Sequence, residues 1–327
     1  MEAESIKSAL NVAPSPHLPG TGRTTQTVMI DVLIGLAPMV LVAVYVFHWY
    51  AVKQIGICVI SCLAAEAAFT RLRGNDLCLN DFSAAVTGVI LGLSLPGPAP
   101  WFVGVIASAV AMGFGKIIFG GLGMNIFNPA MVGRAFVMIA FAGLMGASGY
   151  EISAGTVDIM SQATPLTAFK QAGISTPLLA LLLGNTNGSL GETSALACLL
   201  GGIFLCVRRT ASWEIPAGVI LTAGMIAFLA NLVDMTAPWT AMHHLTGGAL
   251  LFGAFFIATD PVSSPVTPKG KWIFGIGVGG FIMLLRLYSG YPEGVMFAVL
   301  LMNGVTPLIN RWTVPEPFGG IPLVPSR

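Results

Sequence analysis

The residue types and spacing best suited to group transfer are Asp158-Ile159-Met160-Ser161-Gln162-Ala163-Thr164. A hydroxyl beside a small residue, with an acid upstream, is accessible enough to accept a transferred group. The same residues before Pro165 also describe a turn or a helix cap, and their chemistry alone leaves both readings open. A second set consists of Asp31, Glu66 and Asp260, acids in or at the ends of apolar runs. A charge at mid-bilayer costs about 3 kcal/mol or more, so each is expected near an interface, paired, or on an ion path. For Asp260, capping or Lys269 and Lys271 would supply the partner. Arg134 lies well inside an apolar run. It calls for an anionic partner or for snorkelling toward the inner surface, and snorkelling is the expectation. Asn128, which ends the glycine-rich run 120–127 and precedes Pro129, either lines a polar cavity at a broken helix or caps an ordinary one.

These residues must be positioned by membrane elements. The chain has 327 residues, 55% of them hydrophobic, and only 9% charged: 15 Lys and Arg against 14 Asp and Glu. A soluble domain carries about 25% charged residues, so the surface of this one is made for lipid. Ten apolar runs could cross a bilayer, at 28–50, 54–69, 82–95, 101–119, 130–147, 194–207, 215–233, 245–258, 272–287 and 292–309. Several fall short of about 20 residues, which points to broken helices. With the N-terminus cytoplasmic, eleven basic residues fall inside and three outside (Lys53, Lys170 and Arg286), so ten helices with both termini inside satisfy the positive-inside bias. The expected organisation is a cytoplasmic segment 1–26, a five-helix half 27–147, a periplasmic loop 148–193, a second five-helix half 194–310 and a cytoplasmic tail 311–327. Gly88–Pro96 resembles Gly253–Pro261, and Phe127–Met131 stands opposite Tyr291–Val295. Two halves of five helices each would be inverted in the membrane. Residues 1–26 lack the apolar core of a secretory signal.

Other motifs carry less. A net charge of +1 leaves no basic stripe for nucleic acid. The five cysteines lack a Cys-x-x-Cys pair and read as small buried hydrophobes. Gly275-x-Gly277-x-Gly279-Gly280 contains the dinucleotide fingerprint but lies in an apolar helix without a preceding strand, so helix packing explains it better. His243-His244 has no further ligand at metal spacing; an interfacial polar pair is expected, and no metal site.

The pattern D-x-x-[S/T]-x-A-T that Thr164 closes resembles the signature at which a flavin transferase esterifies FMN onto threonine. Its surroundings resemble the RnfD family, the D component of the Rnf ion-translocating oxidoreductase, which is related to the B component of the Na+-translocating NADH:quinone oxidoreductase. The likeness runs through Ser15-Pro16-His17, Met29–Ile34, Gly115–Ala130, Thr259-Asp260-Pro261 and Tyr291–Gly294. The position before Ala163, often Gly in such sites, is Gln162 here. The resemblance implies covalent FMN on Thr164, with Asp158, Ser161 and Ala163 as the transferase recognition pattern. It also implies a non-covalent riboflavin in the membrane part. Asn128, Arg134, Asp260 and Glu66 are candidates for that second flavin site or for the ion path. The implied role is that of a redox subunit, inactive alone, in a bacterial inner-membrane complex with the other Rnf subunits (A, B, C, E and G). That complex couples ferredoxin:NAD+ electron transfer to Na+ or H+ translocation. The alternatives are the B component of the quinone-reducing relative, which has a longer N-terminal portion, and a solute channel or secondary transporter without flavin.

Overall fold

In lipid every backbone amide must bond within the chain, which favours helices. The computed structural model describes residues 24–74, 79–145, 164–173, 175–233, 239–289 and 293–315. Among these the regular elements are helical, apart from an isolated bridge between Pro96 and Ser189. Asp158, Ser161, Ala163, Gln162 and Cys78 lie outside the described residues, as do most of 1–26 and 311–327.

The first part comprises α1 (Thr25–Phe47), α2 (Trp49–Leu72), α3 (Ser83–Ser94), α4 (Trp101–Gly113), α5 (Pro129–Ala140) and the short α6 (Ala142–Met145). Then come α7 (Pro165–Ala172) and α8 (Leu178–Leu183). The second part comprises α9 (Ala195–Val207), α10 (Glu214–Val233), α11 (Ala241–Thr246), α12 (Leu250–Phe252), α13 (Pro268–Tyr288) and α14 (Val295–Thr313). Among the described residues, six helical segments are long and apolar enough to cross a membrane: α1, α2, Trp101–Phe119, α10, α13 and α14. The expected spans at 82–95, 130–147 and 194–207 form apolar helices of only 12 or 13 residues, α3, α5 and α9. The expected span at 245–258 is interrupted: α12 passes into a π-helical turn, Gly253–Ile257, ahead of Thr259-Asp260-Pro261. Short elements ending in mid-bundle leave backbone groups that side chains must satisfy.

The packing fixes their directions. Within the first part α2 lies against α3 and α4, and α4 against α5; within the second, α10 lies against α13, and α13 against α14. α1 packs on α9 antiparallel, because Asp31 near the start of α1 meets Arg208 at the end of α9, while Met39 meets Cys198 further along. Cys58, Cys62 and Cys198 are buried free thiols and Cys206 is half-buried, as small hydrophobes would be.

The glycine stripe of α13 explains its fingerprint-like spacing. A Cβ on Gly275 would lie 2.6 Å from the Ile215 carbonyl oxygen of α10, and one on Gly279 2.7 Å from that of Val219. Small residues here let two helices touch backbone to backbone, which is how helices associate where lipid supplies no hydrophobic drive. Gly275→Val is therefore expected to cost about 1–3 kcal/mol through overpacking. Thermal unfolding in detergent checks this, and an unchanged midpoint would contradict the close α10–α13 contact.

Candidate functional site

Two polar clusters lie at opposite ends of the bundle. At the end where α1 begins, Asp31 accepts from Arg208 Nε (3.3 Å) and Nη2 (3.0 Å) and from the Thr210 hydroxyl (2.9 Å). Glu66, buried in α2, pairs with Lys116, whose ammonium also donates to Ser83 Oγ at 2.5 Å. Asp260 does not use Lys269 or Lys271. Its carboxylate accepts from the Val262 amide (3.3 Å) and the Ser263 hydroxyl (2.9 Å), while Lys271 donates to Ser212 Oγ at 2.5 Å. The sharp turn at Pro261 brings those local donors closer than any lysine, so capping is the arrangement that forms.

Between these residues is a cavity of about 90 Å³. Lys116, Asn125, Asn128, Asp260 and Thr259 line its polar side, with Phe256 and Leu205 among its apolar walls. Asn128 does both things its sequence allowed. Its side chain caps α5 by accepting from the Met131 amide (3.3 Å), and its Nδ2 donates to the Ile257 carbonyl at the end of the π turn (3.2 Å). The Asn128 amide donates to Asn303 Oδ1 (3.1 Å), and Asn303 Nδ2 donates to the Ser263 carbonyl (3.1 Å). Two asparagines thus tie the interrupted helices of one part to those of the other.

The other end holds Thr164. It is the N-cap of α7, half-buried, with Oγ1 accepting from the Thr167 amide (3.3 Å) and lying 2.8 Å from the Thr167 hydroxyl. α7 is anchored to its surroundings. Phe169 stacks on Trp239 with ring centroids 4.7 Å apart, and Lys170 donates to the Ser289 carbonyl at the end of α13 (2.9 Å). A small cavity of about 10 Å³ lies beside Thr164 and is also bordered by Asn187, Gly188, Glu192, Gly248 and Glu293. That is room for one water-sized group.

Arg134 does not snorkel toward the inner surface. Its Nη2 lies 3.2 Å from the buried Glu192 side chain and 3.6 Å from the half-buried Glu293, at the Thr164 end of the bundle. Two carboxylates within one guanidinium's reach hold that group more strongly than a distant aqueous interface. Glu293 also accepts from the Ala249 amide at 2.7 Å. Gly248, at φ +71°, makes this approach possible, since a Cβ there would collide with the same carboxylate. Arg286 completes the cluster, donating to the carbonyls of His244 (2.5 Å) and Gly247 (2.9 Å). His243 and His244 are buried in α11, where Trp239 packs against both rings. Burial, with Arg286 nearby, lowers His244 to about 4, so its ring is neutral at neutral pH. Among the described residues no group of three His, Cys, Asp or Glu could hold a metal ion.

The sequence pointed to Thr164 and Arg134 but not to Glu192, Glu293 or Arg286 as one cluster. A signal was present: Arg286 is a second arginine at the end of an apolar run, and Glu293 follows it within a break. Linking them to Glu192 required the fold.

The model of the NQR2, RnfD, RnfE family matches residues 11–319. The chain belongs to this family. It is 41% identical to the D component of the Na(+)-translocating ferredoxin:NAD(+) oxidoreductase complex of Acetobacterium woodii, over 95% of each chain. It is 40% identical to the D component of the ion-translocating oxidoreductase complex of Stutzerimonas stutzeri, over 93% of this chain and 96% of that one. It is 36% identical to the D component of the proton-translocating ferredoxin:NAD(+) oxidoreductase complex of Clostridium ljungdahlii, over 97% of this chain and 98% of that one.

Removing one partner of a buried ion pair leaves the others uncompensated, so Arg134→Ala is expected to cost about 3–5 kcal/mol. Thermal unfolding of the purified subunit reads this. A loss below about 1 kcal/mol, as for an exposed pair, would contradict the buried clamp.

Proposed function

We propose that this chain is the D component, a membrane subunit, of an Rnf-type complex. The complex couples electron transfer between ferredoxin and NAD+ to translocation of Na+ or H+, and FMN is bound covalently to Thr164. Family membership and near full-length similarity to three proteins so named support the assembly and its activity. The place of Thr164 carries the cofactor reading. It caps α7, so a phosphate ester on its Oγ1 would lie at a helix N-terminus, where anions are stabilised. The residues present therefore fit the group. Asp158, Ser161 and Ala163 would be read by the transferase before the loop is filled.

A flavin at this position supplies one- and two-electron transfer, and the chain supplies its placement. Phe169 stacks on Trp239 ahead of α11 and Lys170 bonds the end of α13, so the attachment point is fixed relative to the bundle. Ten spans in two inverted halves fit the antiparallel α1–α9 pair and the matching order of contacts in the two parts. In this reading, with the positive-inside bias, both termini are cytoplasmic in the bacterial inner membrane and Thr164 is periplasmic, facing subunits that deliver electrons. The other Rnf subunits (A, B, C, E and G) would bring the ferredoxin and NAD+ sites.

The larger cavity at the opposite end is the place we assign to the non-covalent riboflavin or to the ion path, with Asn128, Asp260, Lys116 and Glu66 at or behind its wall. There, protein amides and paired charges are available without breaking a helix further. Charge arriving at Thr164 would act on the cation path through Arg134 and α5, the helix that joins the two ends.

The direct test co-expresses the chain with a flavin transferase and examines the denatured protein on a gel under ultraviolet light. Fluorescence in the native band, absent in Thr164→Val, is expected. A dark native band, with the transferase active on a control substrate, would remove the covalent cofactor from Thr164 and leave the subunit assignment to stand on family membership.

A further inference from the structure

The pocket beside Thr164 has an electrostatic problem if a phosphodiester is to sit against it. Two of its walls are carboxyl groups, Glu192 and Glu293, and a phosphodiester carries a further negative charge. The charged groups facing the pair come from several elements. Arg134 from α5 contacts both carboxyls, and Arg286 from α13 lies behind Gly248, with its buried Nε–H lacking an acceptor among the described residues. From α11, His244 presents a neutral ring; from α7, Lys170 is turned to the Ser289 carbonyl; from α9, Cys198 directs its thiol to Gly191. Two guanidinium groups and two ionised carboxylates sum to zero, and the remaining cation, Lys170, is held by the Ser289 carbonyl.

We propose that Glu192 and Glu293 share one proton, and that this proton turns the Thr164 pocket into a phosphate-binding site by giving it a hydrogen-bond donor and a net positive charge. The inference rests on the reading of Thr164 as the flavin attachment point. The geometry carries it: the carboxyls converge on one guanidinium and on one water-sized cavity, which matches a single phosphate oxygen. Two carboxyls so close cannot both ionise without strong mutual repulsion. Full burial and the neighbouring Glu293 push the Glu192 carboxyl above the ordinary carboxylate range, against the opposing pull of Arg134. With the proton in place the four side chains carry a net single positive charge, equal and opposite to one phosphodiester. Glu192 and Glu293 are thus positioning residues for the attached group, and they take no part in transferring electrons.

Two measurements test this, and they fail separately. Infrared difference spectroscopy across mildly acid to mildly alkaline pH, on the chain without flavin, should show the C=O stretch of a protonated carboxylic acid at neutral pH. It should be lost in both Glu192→Gln and Glu293→Gln. In phosphate-free detergent, the ³¹P resonance of the flavin-loaded protein should move with pH as the pair ionises and stay fixed in Glu192→Gln, whose amide mimics the protonated acid. Absence of the carboxylic acid band in the wild type, or a phosphorus resonance that does not respond to pH, would overturn the shared-proton site. Absence of bound flavin in the denatured gel would instead overturn the Thr164 reading, leaving the infrared result to judge the pair by itself.

Discussion

Arg134 makes the interaction on which the Thr164 end of the bundle depends. It sits in α5, in the first part of the chain, and reaches Glu192 in the connecting segment and Glu293 just ahead of α14. A charge trio of this kind is costly to bury unless each member is satisfied. Here Arg134 serves two carboxylates at once, and the Ala249 amide takes another lone pair of Glu293. The loops that make the Thr164 pocket are held because these charges have nowhere else to go.

The same physics shapes the other end. Helices that stop inside a bilayer leave carbonyls and amides without partners. Asn128 and Asn303 meet that requirement across the two parts, bonding the end of the π turn and the Ser263 carbonyl. A cavity survives beside them because α3, α5 and the interrupted segment near Ile257 end there. Broken helices around a polar centre therefore have a local cause in the Gly120–Asn128 and Thr259-Asp260-Pro261 stretches.

Much of this was legible in the residues themselves. The low charge and the apolar runs led to a polytopic helical membrane protein, and the glycine spacing in α13 was readable as packing because no strand preceded it. Asn128 before Pro129 signalled its cap. The Arg134 environment was not legible, because both its partners lie more than fifty positions away, and nothing in an apolar run says toward which surface an arginine will turn. The burial of the histidines was not legible for a related reason: Trp239 covers them, and that contact belongs to tertiary structure. Helix lengths were overestimated at 130–147 and 245–258, where hydropathy continues although the backbone turns.

Attachment of the redox group at Thr164 is the claim on which the functional reading turns. Peptide mass spectrometry of the subunit isolated with its native complex addresses this directly. The fragment containing Thr164 should carry the mass of FMN less one water, with fragment ions placing the addition on that residue. An unmodified Thr164, or FMN located on another side chain, would contradict it.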